Sequence, residues 1–325
     1  LRNENKNNGF LNFLFFGGKM KIGIIGTGAV GGYYGALLVQ NGFDVHFLLK
    51  SDFVHVRDHG LRVASINGDF SLGHVHAYGS PEDMPVCDVV VVALKTTQND
   101  HLASILPTIT GRDSIVVVLQ NGLEVEQDIS KIVPSASIIG GLCFLCSHKA
   151  GPGQIHHLGY GSIRFGQYHK SHPYRDAPIH LKTVSEIFAK AGVPVLVTEN
   201  LEKARWEKLV WNMGFNGLSV ILNATTGQMM QNDASLRLVK ELMMEVIAGA
   251  RACGYEVKDE FADSLLNTTR QMPDYSPSMK LDFETGRSME IECIYWRPIA
   301  AAEKHGFDMS KSKVIARQLD FFDHS

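Results

Sequence analysis

Lys208, Asn212 and Asn216 recur at four-residue spacing in the stretch RWEKLVWNMGFNGLSVILN, residues 205–223. On an α-helix that spacing puts all three on one face. Trp206, Leu209, Val210, Met213, Phe215 and Leu218 surround the same axis, and a helix apolar on nearly every side is a buried one. The polar stripe is therefore expected to line an internal cleft. On a surface helix the same spacing would be an ordinary solvated face. A lysine held in a cleft is partly desolvated, which disfavours its charged form, lowers its pKa toward the working pH and suits it to give up a proton. Two amides, each able to donate and accept, suit the carboxylate or hydroxyl groups of a small polar substrate.

A second set of residues points to a cofactor. KIGIIGTGAVGGYYGALLVQNG reads as a short apolar strand, a glycine-rich turn and a helix that ends at Asn41-Gly42. Gly26, Gly28 and Gly31 form G-x-G-x-x-G where the strand becomes the helix, the place where a backbone must turn tightly and approach a pyrophosphate seated on the helix N-terminus. Thr27, Ala29 and Val30 complete that turn. The next strand, DVHFLLKSD, brings Lys50 to the position where an acidic residue would take a ribose 2'-hydroxyl. A cation there suits a 2'-phosphate, so NADP(H) is expected over NAD(H), with Asp52 two residues on as the group that could reverse the preference.

Several elements must position these groups. DVVVVALK (88–95) and SIVVVLQNG (114–122) are continuous apolar runs, as strands covered on both faces should be. Ligands sit beyond the carboxyl ends of such strands, which puts Lys95, Thr96, Gln98, Gln120 and Asn121 at the mouth of a cofactor crevice. GPGQIHHLGYGSIRFGQ alternates as a hairpin would, and HLKTVSEIFAKAGVPVLVT reads as a helix followed by a strand. From Glu199 onward the pattern turns helical, with helices expected near 200–222, 232–254, 258–271, 288–305 and 311–322. The fold class is an α/β doubly wound, Rossmann-type N-terminal domain with an all-α C-terminal domain. Domain limits are an extension over 1–19, a dinucleotide-binding domain over 20–199 and a helical substrate domain over 200–325.

Ser288 can cap the helix expected at 288–305, and its first turn would then carry Glu290, which capping alone would explain. Glu292 points to a different face, so at most one of the two carboxylates shares a site with Lys208.

With 31 basic and 34 acidic residues and a formal charge of -3, the chain offers no basic field for nucleic acid or an anionic membrane. The expected partner is a small molecule. Five sparse cysteines suit a reducing, cytoplasmic compartment. The pair in CFLC reads as two buried strand cysteines, and His156 and His157 face opposite ways on a strand, so no metal site is expected. FLNFLFF, within residues 1–19, is too short to span a bilayer, and Met20 is read as the natural start. SLRLVKELMMEVIAGARACG carries enough apolar surface for both a core and a dimer face, so a homodimer is one assembly the sequence allows.

GTGAVGGYYG, ALKTTQ, LQNGL, GPGQIHHLGYGSIRFG, RWEKLVWNMGFNGLS and SMKLDFETGRSMEIE occur in that order over essentially everything after Met20. In this the chain resembles the ketopantoate reductases (2-dehydropantoate 2-reductases), whose members reduce a 2-oxo acid with NADPH. The resemblance implies a Rossmann-type domain and a helical domain like the C-terminal one of 6-phosphogluconate dehydrogenase. It implies Lys208 as general acid and Glu290 as the catalytic carboxylate. It implies Asn121, Asn212, Asn216 and Ser278 as substrate ligands, Lys95 near the nicotinamide and Lys50 on the 2'-phosphate. Two departures stand out. Many relatives carry Asn-Gly soon after the glutamate where this chain has Tyr295-Trp296-Arg297-Pro298, and a family asparagine falls on Thr226. Bulky residues there would mark a redirected pocket. Two other readings remain open: a related dehydrogenase of another small 2-oxo or hydroxy acid, and a dinucleotide-binding regulator without turnover.

Overall fold

The computed structural model describes residues 20–169 and 177–323, and the expected extension over 1–19 lies outside them. The chain forms two compact units. One contains 20–94, 101–119 and 129–197 within its limits; the other contains 95–100, 120–128 and the chain from Thr198 on.

The first unit is built on valine- and isoleucine-rich runs that form, among the described residues, a ten-stranded sheet. Its strands are β1 (Lys21–Ile25), β2 (Asp44–Leu48), β3 (Leu61–Ser65), β4 (Phe70–Leu72), β5 (His76–Tyr78), β6 (Cys87–Val92), β7 (Thr110–Val118), β8 (Ser137–Gly151), β9 (Gln154–Gln167) and β10 (Val195–Thr198). They lie in the order β4-β3-β9-β8-β7-β6-β1-β2-β5, with β10 paired to β9. The run from β5 to β8 is parallel throughout. Val89, Val90, Val91 and Val92 of β6 are wholly buried, as a two-sided cover requires. Helices α1 (Ala29–Gln40), α2 (Phe53–His59), α3 (Leu102–Ile109), α4 (Val125–Ile132) and α5 (Ala177–Lys190) connect the strands.

The stretch expected to be a hairpin over 151–167 is instead one long strand, β9, running antiparallel to β8. The turn falls at Gly153, whose φ is +65°. The glycine cluster that looks like a turn is a bulge: Tyr160 (φ +62°) and Gly161 (φ +125°) insert an extra residue opposite Phe144 and Leu145.

In the second unit the helices are α6 (Leu201–Ile221), α7 (Thr226–Gln231), α8 (Asp233–Ala252), α9 (Glu260–Gln271), α10 (Ser278–Glu284), α11 (Arg297–Lys304) and α12 (Ser310–Asp323). Asn200 starts α6 by accepting from the Lys203 amide at 2.9 Å. α6 is the central helix, with Trp206, Val210, Met213 and Phe215 almost wholly buried in the core it shares with α8, α11 and α12. α7 and α10 were not expected, because six or seven residues are too few for a helical period to register. A local signal for α7 does exist in the reciprocal capping of Thr225 and Gln228. The helix expected over 288–305 begins later: residues 287–290 are irregular, Glu292–Trp296 is a π turn, and α11 follows. Ser288 therefore caps nothing.

Candidate active site

The glycine-rich turn joins β1 to α1, and each glycine meets a different demand. Gly26 has φ +92°, and a Cβ on it would lie 2.5 Å from the Leu94 amide nitrogen. A Cβ on Gly31 would lie 2.2 Å from the Gly26 carbonyl oxygen. Gly28 is the opposite case, because a Cβ there would meet nothing within 4 Å, so the backbone faces open space. Gly28 is also the N-cap of α1, with no side-chain cap bond and no acidic residue in the first turn. The amides of Ala29, Val30 and Gly31 lack intrahelical acceptors, and together with the dipole they fit a pyrophosphate. The Thr27 hydroxyl donates to the Leu48 carbonyl at 3.5 Å, tying this turn to the end of β2.

Just past β2 the two rival side chains separate. Lys50 is exposed. Asp52 is 5% exposed, and its carboxylate accepts from Lys149 Nζ at 2.6 Å, the Gly153 amide at 3.0 Å and Ser51 Oγ at 3.1 Å. Burial alone would raise the Asp52 pKa, but the hydrogen bonds from Lys149 and Gly153 outweigh it and hold the carboxyl below its usual value. Asp52 is a clamp on the β8–β9 turn.

The polar stripe of α6 falls as the spacing predicts. Asn212 is 6% and Asn216 2% exposed, while Lys208 is half-buried. The Oδ1 atom of Asn216 is buried with no hydrogen-bond partner among the described residues. A buried amide oxygen without a donor carries a free-energy cost that a ligand hydroxyl would relieve.

The segments that follow β6 and β7 group with the helical unit, and buried charge holds them there. Glu290 is 4% exposed, and its Oε1 accepts from the Thr96 amide at 2.9 Å and the Thr96 hydroxyl at 3.1 Å. Lys95 Nζ lies 3.3 Å from Glu290 Oε2 and 2.7 Å from Asp282 Oδ2. Burial would push the Glu290 carboxyl up, but the Lys95 charge and the Thr96 donors prevail and hold it below its ordinary value. Burial likewise opposes the Lys95 ammonium, and the two carboxylates overcome that and raise its pKa. Asp282 also receives Arg287 Nε at 3.1 Å. Glu290 is thus the anchor of the Lys95–Thr96 turn and not a helix cap. Glu292 is exposed and faces Arg297 at 3.6 Å.

Asn121 sits in a loop fixed at both ends. On one side Arg205 Nη1 donates to the Gln120 carbonyl at 2.6 Å, while Arg205 Nε and Nη2 both hold Glu126 Oε1. On the other side the Leu123 amide donates to the Cys293 carbonyl at 2.9 Å. Asn121 itself is half-buried. Ser278, the first residue of α10, is exposed. Arg205, Asp282 and Arg297 were missed by reading the sequence. Arg205 carried a signal, since a cation in an otherwise apolar helix requires a buried carboxylate.

The side chains at Tyr295–Pro298 and Thr226 are engaged within the helical unit. Tyr295 is wholly buried, with its hydroxyl on the α6 backbone. Trp296 Nε1 donates to Asp320, Arg297 pairs with Asp128 at 2.7 Å, and Pro298 is buried in the first turn of α11. The Thr226 hydroxyl is 3.2 Å from the Tyr275 carbonyl, which it holds beside α7. These bulky side chains are core and brace.

A parallel sheet with an uncapped glycine turn, followed by a helical unit with a buried polar stripe, defines a dinucleotide-binding oxidoreductase of the Rossmann-like class. The model of the family "Ketopantoate reductase PanE/ApbA" matches residues 22–170, and that of its C-terminal part matches 200–322. The chain belongs to the ketopantoate reductase family. It is 48% identical over 305 residues to a 2-dehydropantoate 2-reductase of Nostoc sp., covering 93% of this chain and 95% of that protein. A crystal structure of 2-dehydropantoate 2-reductase from Geobacter metallireducens superposes with a TM-score of 0.88 at 40% identity, over 93% of this chain and 99% of that one. D-mandelate dehydrogenase with NADH and anilino(oxo)acetate shares the fold, with a TM-score of 0.85 at 20% identity over 94% and 98%. Among the described residues no helix is long and apolar enough to cross a membrane.

Proposed function

We propose that the chain reduces 2-dehydropantoate (ketopantoate) to pantoate with NADPH, a step of pantothenate biosynthesis. The observation that carries this reading is the buried α6 stripe, whose Asn216 Oδ1 lacks a donor. It is joined by 48% identity to a 2-dehydropantoate 2-reductase along nearly the whole chain. The nicotinamide, when bound, supplies the hydride for the ketone carbon. Lys208 Nζ gives its proton to the forming alkoxide, an aid of about 10²–10⁴ in rate, and its positive charge favours the transition state over the ground state. Asn121, Asn212, Asn216 and Ser278 hold the carboxylate and hydroxyl of the substrate. Glu290, held ionised by Lys95 and Thr96, is the catalytic carboxylate of this reading and orients Lys208 or the substrate hydroxyl.

The amides at Gly28–Gly31 take the pyrophosphate. Lys50 selects the 2'-phosphate, a choice supported by the engagement of Asp52 with Lys149 and Gly153, which removes the acidic competitor for a ribose hydroxyl. The compartment proposed is the reducing cytoplasm, as five sparse cysteines suit. The working division is a cofactor domain over 20–199 and a substrate domain over 200–325, assembled as a homodimer.

The test is NADPH oxidation by the purified chain with ketopantoate beside other 2-oxo acids, repeated with Lys208→Ala. Saturable ketopantoate reduction is expected, falling at least about a hundredfold in the variant while NADPH affinity holds. Retained turnover in Lys208→Ala would remove the general-acid role. Silence on ketopantoate with turnover of another 2-oxo acid would move the assignment to a related dehydrogenase, and NADPH binding without any turnover would favour a regulator.

A further inference from the structure

Tyr295 lies in the π turn that leads into α11, with its ring wholly buried. Its hydroxyl accepts from the Gly217 amide at 2.9 Å and donates to the Met213 carbonyl at 3.0 Å. Residues 213 and 217 are four apart, the pair that one turn of an α-helix joins directly. A hydroxyl bonded to both ends of that turn braces it from outside while α6 stays an unbroken helix. Asn216 lies inside this turn and Asn212 at its edge. Gly217 permits the approach, because a Cβ there would lie 2.5 Å from both Tyr295 Oη and Ile315 Cγ2.

We infer that Tyr295 is a positioning residue for the substrate: its hydroxyl sets the geometry of the 213–217 turn of α6 and so the reach of the Asn216 amide, tuning affinity for the 2-oxo acid without touching it. This rests on the proposed role of Asn216 as a substrate ligand. A tyrosine that served only the core would need a partner for its hydroxyl but would have no bearing on that amide. Here the partner is the turn that carries the one buried amide oxygen left unpaired on the stripe.

The experiment is a double-mutant cycle of Tyr295→Phe and Asn216→Ala, read as KM and kcat for ketopantoate, dissociation constant for NADPH, and Tm. Tyr295→Phe keeps the ring and removes only the hydroxyl, and α6 is an unbroken helix through this turn, so the fold survives. The variant is expected to raise KM about tenfold with kcat changed less than about threefold, the signature of lost uniform binding. NADPH affinity stays as in the parent. In the Asn216→Ala background the same change should add less than about twofold, because the two residues act through one contact. Gly217→Ala, which pushes the hydroxyl out sterically, gives a second route to the same signature should Tyr295→Phe fold poorly. An unchanged KM in Tyr295→Phe, or effects that multiply independently with Asn216→Ala, would leave only a core role for Tyr295. If Asn216→Ala itself leaves KM unchanged while the parent reduces ketopantoate, the substrate role of Asn216 is what fails and the inference falls with it. If the parent reduces no 2-oxo acid, the proposed function fails first.

Discussion

Arg205→Met isolates the buried ion pair that fixes the Asn121 loop. Arg205 and Glu126 side chains are 2% and 4% exposed, and the guanidinium also holds the Gln120 carbonyl. Methionine fills much of the space but leaves the Glu126 carboxylate buried without a cation, a loss of about 3–5 kcal/mol. At about 2–4 °C per kcal/mol for domains of 150–250 residues, Tm should fall roughly 6–20 °C. The double variant Arg205→Met with Glu126→Leu removes both charges, and replacing a buried pair by apolar groups is often neutral or better, so most of the lost stability should return. Thermal and urea melts of the two variants beside the parent measure this. KM for the oxo acid should rise in both variants, since the Gln120 carbonyl loses the Arg205 bond that helps fix the Asn121 loop. A single variant that loses under about 1 kcal/mol, or a double variant no more stable than the single, would refute the claim that the stranded carboxylate sets the cost.

Cofactor choice gives the next prediction. Lys50→Ala should weaken NADPH far more than NADH in fluorescence titrations. Asp52→Asn should lower Tm through the β8–β9 turn yet leave the ratio of the two affinities unchanged, and a shifted ratio would return Asp52 to the cofactor site. A third concerns pH. Because the Glu290 carboxyl is depressed in the folded state, its contribution to stability is present above the ordinary carboxylate pKa and is lost as pH falls through the depressed value. Lys95→Met removes the main opposing charge and leaves burial to push the carboxyl up. The acid limbs of both Tm and kcat/KM should then move to higher pH, and limbs that stay in place would show that Lys95 does not hold Glu290 ionised.

Local steric and periodic demands made the cofactor turn and the α6 stripe legible. Three glycines at a strand-to-helix junction, or three polar residues on one face of an apolar helix, state their geometry within a dozen residues. The Lys95–Asp282–Glu290 cluster joins positions separated by 187 and 195 residues, and no local period encodes such a meeting. A carboxylate near a helix N-terminus is common, so capping alone would explain Glu290, and only the family resemblance pointed to a catalytic role. The helix in fact begins after it, and the buried carboxylate faces the turn at Thr96 instead. The bulge at Tyr160–Gly161 was masked in the same way, since glycine clusters mark turns and bulges alike.

Arg205 carries a constraint of a different kind from periodicity, the compensation of buried charge. The stretch that exposed Lys208 also contains Arg205, and a helix read as buried cannot leave a guanidinium unpaired. That demand calls for a carboxylate in an apolar setting elsewhere in the chain. LEVEQDI, which follows the Asn121 loop, offers one in Glu126, flanked by Val125 and followed by Ile129. Had the pair been drawn from that constraint, Asn121 and Lys208 would have been placed on one unit from sequence, because the arginine lies one turn before the lysine and its partner five residues after the asparagine. Periodicity locates elements, while the requirement that buried charge be compensated says which distant segments must meet.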